Sequence, residues 1–157
     1  MSKRIYLAGP ITGLTHDEAR YGWRQQFVDL LKEDTIECFS PMRGKETLAG
    51  IGKLSANPGT YGSDPISQPA GIVGRDGNDV RQADAIVACF LESGGRPSLG
   101  TAWEIGIAHQ LYIPIVCIAL PGDPNRDHVI LGRCYAYSVE TLEAAVRCLR
   151  YLLLPGV

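Results

Sequence analysis

No stretch of this sequence stays apolar long enough to cross a bilayer; the longest, Tyr112 to Leu120, covers about half a membrane span. The apolar run that follows Met1-Ser2-Lys3-Arg4 is broken by Gly9 and Pro10, too soon to form a signal-peptide core. The expectation is a soluble, cytoplasmic protein with no membrane partner. Charge of one sign is equally scarce: 15 basic residues stand against 17 acidic ones, the formal net charge is -2, and no block of like charge occurs. Nucleic acid is therefore not an expected partner, because coating a polyanion needs a basic patch. Histidine occurs three times, at 16, 109 and 128, without H-x-x-x-H or H-E-x-x-H spacing, and no metal site is expected. The five cysteines (38, 89, 117, 134, 148) are odd in number and contain no C-x-x-C pair. They read as reduced thiols, with Cys89 and Cys117 inside apolar runs.

What is present is ordinary in bulk and uneven in distribution. The 157 residues fit one domain, and 45% hydrophobic with 20% charged residues is too apolar for a disordered chain. Glycine (18) and proline (10) are abundant, and seven glycines, three prolines and three serines fall between Arg43 and Arg75. That segment shows little periodicity of either kind. A loop of this length in a compact domain is usually a functional lid or binding loop; the alternative is a tolerated insertion.

Elsewhere apolar runs alternate with helical periods. Arg4–Ala8 reads as a strand, Asp17–Glu33 as an amphipathic helix, Thr35–Phe39 as a strand, and Asp76–Ala83 as a short helical turn. Asp84–Phe90 and Ile113–Leu120 are continuous apolar runs, the mark of parallel strands buried on both faces. A helix is expected between them from Thr101 to Leu111. Cys134–Tyr137 is a candidate edge strand, and Val139–Leu153 a closing helix with Leu142, Ala145, Val146, Leu149 and Leu152 on one face. The pattern predicts an α/β fold: an open parallel five-stranded sheet, flavodoxin-like (Rossmann-like), in the order 2-1-3-4-5 with helices on both faces. Ligands of such sheets lie beyond the strand carboxyl ends where the order reverses. Gly9, Pro10 and the turn from Glu92 to Gly100 would line that crevice.

The turn Gly94–Thr101 leads from a buried strand into a helix, so amides near Ser98, Gly100 and Thr101 can hold an anion or a sugar hydroxyl; a plain turn is the alternative. Thr101-Ala102-Trp103-Glu104 matches a T-x-x-E capping box, yet a carboxylate in the first turns of a helix beside a crevice is also where a nucleophile can project. Asp76 reads as a helix N-cap or as a second carboxylate. Tyr6, inside the first strand, needs a hydrogen-bond partner for its buried hydroxyl. Two carboxylates beside a sugar are the equipment of glycosidic cleavage, one attacking the anomeric carbon and the other handling the leaving group's proton.

Three blocks together carry a resemblance: Ile5-Tyr6-Leu7-Ala8-Gly9-Pro10, then Arg75-Asp76 with Ala83-Asp84-Ala85-Ile86-Val87, then Ser98-Leu99-Gly100-Thr101-Ala102-Trp103-Glu104-Ile105-Gly106. In order and spacing from residue 5 to about 120, the sequence resembles the nucleoside 2-deoxyribosyltransferases and their nucleotide N-hydrolase relatives. The resemblance implies Glu104 as the nucleophile that takes up the deoxyribosyl group, Asp76 as the carboxylate that contacts and protonates the base, and Tyr6 as the residue orienting the nucleophile. It implies no cofactor, a nucleoside or nucleotide and a free nucleobase as partners, and a homo-oligomer (dimer or higher) with shared sites. In Gly122–His128, which resembles a segment that crosses into a neighbour's site, Asn125 and His128 become candidate sugar or phosphate contacts; a surface turn is the alternative.

Two departures stand out. Ser98 replaces an aspartate that contacts the sugar 5′-hydroxyl, and a serine beside free amides accepts a 5′-phosphate where an aspartate repels one. Where some members place a terminal carboxylate near the site, this sequence has Leu154-Pro155-Gly156-Val157. The expected activity is transfer of deoxyribose between bases. Hydrolysis of a 2′-deoxynucleoside 5′-monophosphate is the first alternative, and a non-catalytic nucleotide-binding module the second.

Overall fold

The computed structural model describes residues 2–57, 59 and 61–156. Five parallel strands form one open sheet in the order β2-β1-β3-β4-β5: β1 Lys3–Ala8, β2 Ile36–Phe39, β3 Ala85–Cys89, β4 Ile115–Ile118 and β5 Tyr137–Val139. Ile5 pairs with Cys38 on one side and Ala85 on the other, and Val87 pairs with Val116. The helices are α1 His16–Tyr21, α2 Trp23–Leu30, α3 Pro69–Arg81, α4 Leu99–Gln110 and α5 Leu142–Leu153.

Strand alternation divides the core in two. Ile5, Leu7, Val87, Val116 and Ile118 face α2 and α5, meeting Phe27, Ala145, Val146 and Leu149. Tyr6, Ala8, Ile86, Ala88 and Cys117 face the other layer, meeting Val80 of α3 and Ile105 and Ala108 of α4. Every residue of β3 and β4 is buried, which is why both read as unbroken apolar runs. Each fully buried aliphatic side chain contributes roughly 1.5–3 kcal/mol, so these central strands are the most strongly held part of the sheet. The order reverses between β1 and β3, whose connections leave in opposite directions and open a crevice at their carboxyl ends.

Several sequence expectations need correction. The single helix over 17–33 is two helices, broken at Gly22 (φ -70°, ψ -127°), where a Cβ would lie 2.5 Å from the Glu18 carbonyl. The last strand lies at Tyr137–Val139 rather than 134–137, and α5 starts only at Leu142, where the Thr141 hydroxyl accepts from the Ala144 amide at 3.1 Å. The largest difference is α3. It runs 13 residues from Pro69, with Gln68 as its N-cap, so Asp76 sits in mid-helix and is not a cap.

The segment 43–75 is accordingly not structureless. Glu46–Leu48 and Pro65–Ser67 form 3-10 turns, and its last seven residues, from Pro69, belong to α3. Met42, Leu48 and Leu54 bury against Ala19, with Ile11, Leu14 and Tyr61 packed on them. Backbone hydrogen bonds from Gly13 to Leu54 (2.8 Å) and from Leu54 to Leu14 (2.7 Å) fasten this small core to the chain following β1. Pro58 and Thr60 of this segment, like Met1 and Val157, lie outside the described residues.

Candidate active site

A cleft of about 380 Å³ opens at the carboxyl ends of β1 and β3. Its floor is Gly9-Pro10 and the first two turns of α4, and its sides are the turn 93–98, Ile72 and Asp76 of α3, and Lys45 and Tyr61 of the intervening segment. Gly9 allows the two strand ends to approach: a Cβ there would stand 2.7 Å from the Cys89 carbonyl and 3.1 Å from the Trp23 ring.

Strand alternation turns the fully buried Tyr6 toward α4, where its hydroxyl donates to Oε1 of Glu104 at 2.6 Å. Ile105 and Ala108 anchor α4 on the sheet, and the same helical face carries Glu104 to the cleft floor, 7% exposed. Burial pushes the Glu104 carboxyl up to about 7; the Tyr6 hydrogen bond, Arg24 and Lys45 pull it down while Asp76 adds to the rise. Tyr6 itself is held well above its ordinary value by burial and by the Glu104 charge, so it remains a donor.

The capping-box expectation fails here. Ser98 precedes α4 and Thr101 lies inside it, with the two hydroxyls 2.8 Å apart. Glu104 therefore does not close the helix start, and its carboxylate is free to face the cleft.

Asp76 lines the same cleft from α3. Its Oδ1 accepts from Arg75 Nε (3.0 Å) and Nη2 (2.7 Å). Burial raises its pKa, and Lys45 and Arg75 oppose the rise. One turn on, Asp79 pairs with Arg43 at 3.0 Å. Glu104, Asp76 and Tyr6 are thus brought together from elements far apart in the chain.

The remaining candidates divide. Gly9, Pro10, Ser98, Gly100 and Thr101 line the cleft. Asn125 does not; it is buried behind the turn, where Oδ1 accepts from the Ser98 amide (3.0 Å) and Nδ2 donates to the Arg96 carbonyl (3.0 Å). His128 is exposed and away from this cleft, with Nδ1 accepting from the Ile130 amide at 3.2 Å.

Sequence reasoning misses three charged residues. Arg24 is buried with no carboxylate paired to it among the described residues and donates to the carbonyls of Leu7 (3.3 Å), Ala19 (2.7 Å) and Gly9 (3.0 Å), bracing the strand end that forms the floor. Arg75 joins Asp76 to the carbonyls of Pro41 and Arg43. Lys45 is 3% exposed and lines the cleft. The hint in the sequence for Lys45 is the pair of basic residues after the second strand, at 43 and 45, which resembles a solvated loop, and for Arg75 its place beside Asp76 in the second resembling block.

A family model described as Nucleoside 2-deoxyribosyltransferase matches residues 5–136. No curated protein matches the chain. Among solved structures, a conserved protein from Enterococcus faecalis V583 is similar with a TM-score of 0.64 at 21% identity, covering 98% of this chain and 100% of its own. A molybdenum cofactor binding protein from the phototrophic bacterium Rippkaea orientalis has a TM-score of 0.60 at 14% identity, with 98% of each chain covered. The solution structure of BlsM has a TM-score of 0.60 at 20% identity, covering 99% of this chain and 98% of its own. At these identities the likeness concerns the fold alone.

Proposed function

The chain belongs to the nucleoside 2-deoxyribosyltransferase family, and from that premise we propose that it cleaves the N-glycosidic bond of a 2′-deoxynucleoside and transfers the sugar to another nucleobase. The observation that carries this reading is the Tyr6–Glu104 hydrogen bond (2.6 Å) on the floor of a cleft that Asp76 also lines.

In the first half-reaction Glu104 attacks C1′ while the C1′–N bond breaks and its electron pair leaves with the base. Asp76 gives its proton to the base, and an ester between the sugar and Glu104 remains. In the second half-reaction a nitrogen of the incoming base attacks C1′, Glu104 leaves as carboxylate, and Asp76 takes up the proton. The pair must hold one proton between them at the start. Tyr6 keeps one carboxylate oxygen engaged, directing the other at the sugar. No cofactor enters any of these steps.

A second reading has water complete the reaction on a 2′-deoxynucleoside 5′-monophosphate. Ser98 favours it: the start of α4 has no side-chain cap, leaving amides at the cleft wall beside a hydroxyl rather than a carboxylate. Incubating the protein with a deoxynucleoside, its monophosphate and an acceptor base, then separating the products, distinguishes the two. Exchange on the nucleoside supports transfer, and a free 5-phosphorylated sugar supports hydrolysis. Binding with no base released from either would leave a nucleotide-binding module. Leu99, Val129 and Ile130 stay 84%, 82% and 66% exposed, which supports a homo-oligomer whose neighbour, with His128, completes the site.

A further inference from the structure

Lys45 is a buried lysine at the cleft, without a partner for its ammonium among the described residues. It is 3% exposed, yet its ammonium forms neither a hydrogen bond nor an ion pair with any described residue; the ion-pair partner of Asp76 is Arg75. An unpaired buried charge is costly and persists where function or a ligand supplies the missing partner. Its side chain lines the cleft together with Asp76 and Glu104, the two carboxylates whose charges act on it.

The position of Lys45 is closely specified. Its backbone amide donates to the Met42 carbonyl (3.3 Å), and its carbonyl accepts from Leu48 (3.0 Å); Met42 and Leu48 are fully buried. Arg75 then donates to the Pro41 and Arg43 carbonyls at 2.7 and 2.8 Å while also holding Oδ1 of Asp76. One guanidinium therefore fixes the acid and the segment bearing the cation in a single frame. Ile72 and Tyr61 line the same side of the cleft, apolar and aromatic surfaces suited to a planar ring. Ser98 and the floor residues Gly100 and Glu104 are left for the sugar.

We propose that Lys45 is a catalytic residue: its ammonium donates a hydrogen bond to an acceptor atom of the departing nucleobase and stabilises the negative charge that collects there as the C1′–N bond breaks. The proposal rests on N-glycosidic cleavage through Glu104. The electron pair of the C1′–N bond goes to the base, Asp76 delivers the proton, and Lys45 keeps its own, acting as a fixed donor. The substrates it favours are nucleobases whose edge offers an exocyclic oxygen or ring nitrogen and which leave poorly without assistance.

The test compares wild type with Lys45→Met and Lys45→Arg on substrates of one sugar whose bases differ in leaving-group acidity. Lys45→Met is expected to lower kcat about 100-fold on the least acidic base, the scale of losing one donor to a developing charge. On the most acidic base the loss is expected to shrink to less than about 10-fold, because little stabilisation is needed there. Lys45→Arg falls between. The thermal midpoint of Lys45→Met is expected to equal or exceed that of wild type, because a buried charge has been removed. An equal fractional loss of kcat across the series, or no loss, overturns the proposal. Should Lys45→Met not fold, Lys45→Gln is read in the same way. Glu104→Ala separates the premise: if wild type releases no base, or Glu104→Ala releases it equally fast, the cleavage reading fails and the role of Lys45 with it. If release depends on Glu104 but the leaving-group slope of the Lys45 variants matches wild type, only the Lys45 role fails.

Discussion

The Tyr6 hydroxyl on β1 donates to Oε1 of Glu104 on α4 at 2.6 Å, across 98 residues of chain, with both side chains buried. A hydrogen bond to the charged form of a carboxyl favours that form and lowers its pKa. Tyr6→Phe removes it and little else. The Glu104 titration, followed by carboxylate infrared bands against Glu104→Gln, is expected to move above its midpoint of about 7. A hydrogen bond to a charged group is worth about 1.5–3 kcal/mol, so kcat for base release is expected to fall by about 10-fold or more. A titration that stays in place would remove Tyr6 from the account.

Glu104 also couples stability to pH. Its pKa is raised from 4.5 to about 7 in the folded protein, so between those values the folded state holds a proton that the unfolded state releases. The stabilisation from that bound proton is complete below about 4.5 and is lost as pH rises through about 7. The full effect is on the order of 3 kcal/mol. Glu104→Gln does not ionise, so its stability advantage over wild type is expected to grow between about pH 5 and about pH 8. Urea unfolding at both pH values measures it, and a constant difference would mean that Glu104 is not raised.

Asp76 and Glu104 need one proton between them, and burial raises both carboxyls, that of Glu104 to about 7. For wild type, kcat/KM is expected to decline as pH rises through about 7, when that last proton leaves. Asp76→Asn cannot supply the acid and is expected to lose about 100-fold or more in kcat. Its profile should reverse, rising with pH as Glu104 alone ionises. A pH–rate series on both proteins decides this, and parallel profiles would contradict the assignment of acid and nucleophile.

Asn125 acts behind the cleft. Asn125→Ala leaves the Ser98 amide and the Arg96 carbonyl without their partner, at a cost of about 1–3 kcal/mol. Because the turn it braces forms one wall of the cleft, KM is expected to rise by a larger factor than kcat falls. Unfolding and Michaelis measurements check both, and an unchanged KM would confine Asn125 to stability.

Much of this arrangement is legible in the sequence. Continuous apolar runs at 84–90 and 113–120 mark the buried parallel strands, and their alternation with helices leads to the sheet order that places Gly9-Pro10 beside the 92–100 turn. Other parts are obscured for physical reasons. Glycines 71, 74 and 77 interrupt the helical period of α3, so 13 residues of helix read as a loop with a short turn. The T-x-x-E pattern at 101–104 imitates a cap, because local spacing does not reveal that the helix already starts at Leu99. Arg24, Lys45 and Arg75 resemble ordinary surface charge. Their burial, partial for Arg75, follows from tertiary packing, and for the two arginines from carbonyl partners at Gly9, Pro41 and Arg43 that no sequence period indicates.

The central claim is that Glu104 becomes covalently bonded to the sugar. Rapid quenching of the protein with its substrate, followed by proteolysis and mass spectrometry, measures this directly. The expected result is a peptide containing Glu104 that carries the mass of one 2-deoxyribosyl group, absent in Glu104→Gln and lost on adding an acceptor base or on standing in water. Base release with no adduct at any quench time, and at an undiminished rate in Glu104→Gln, would contradict it.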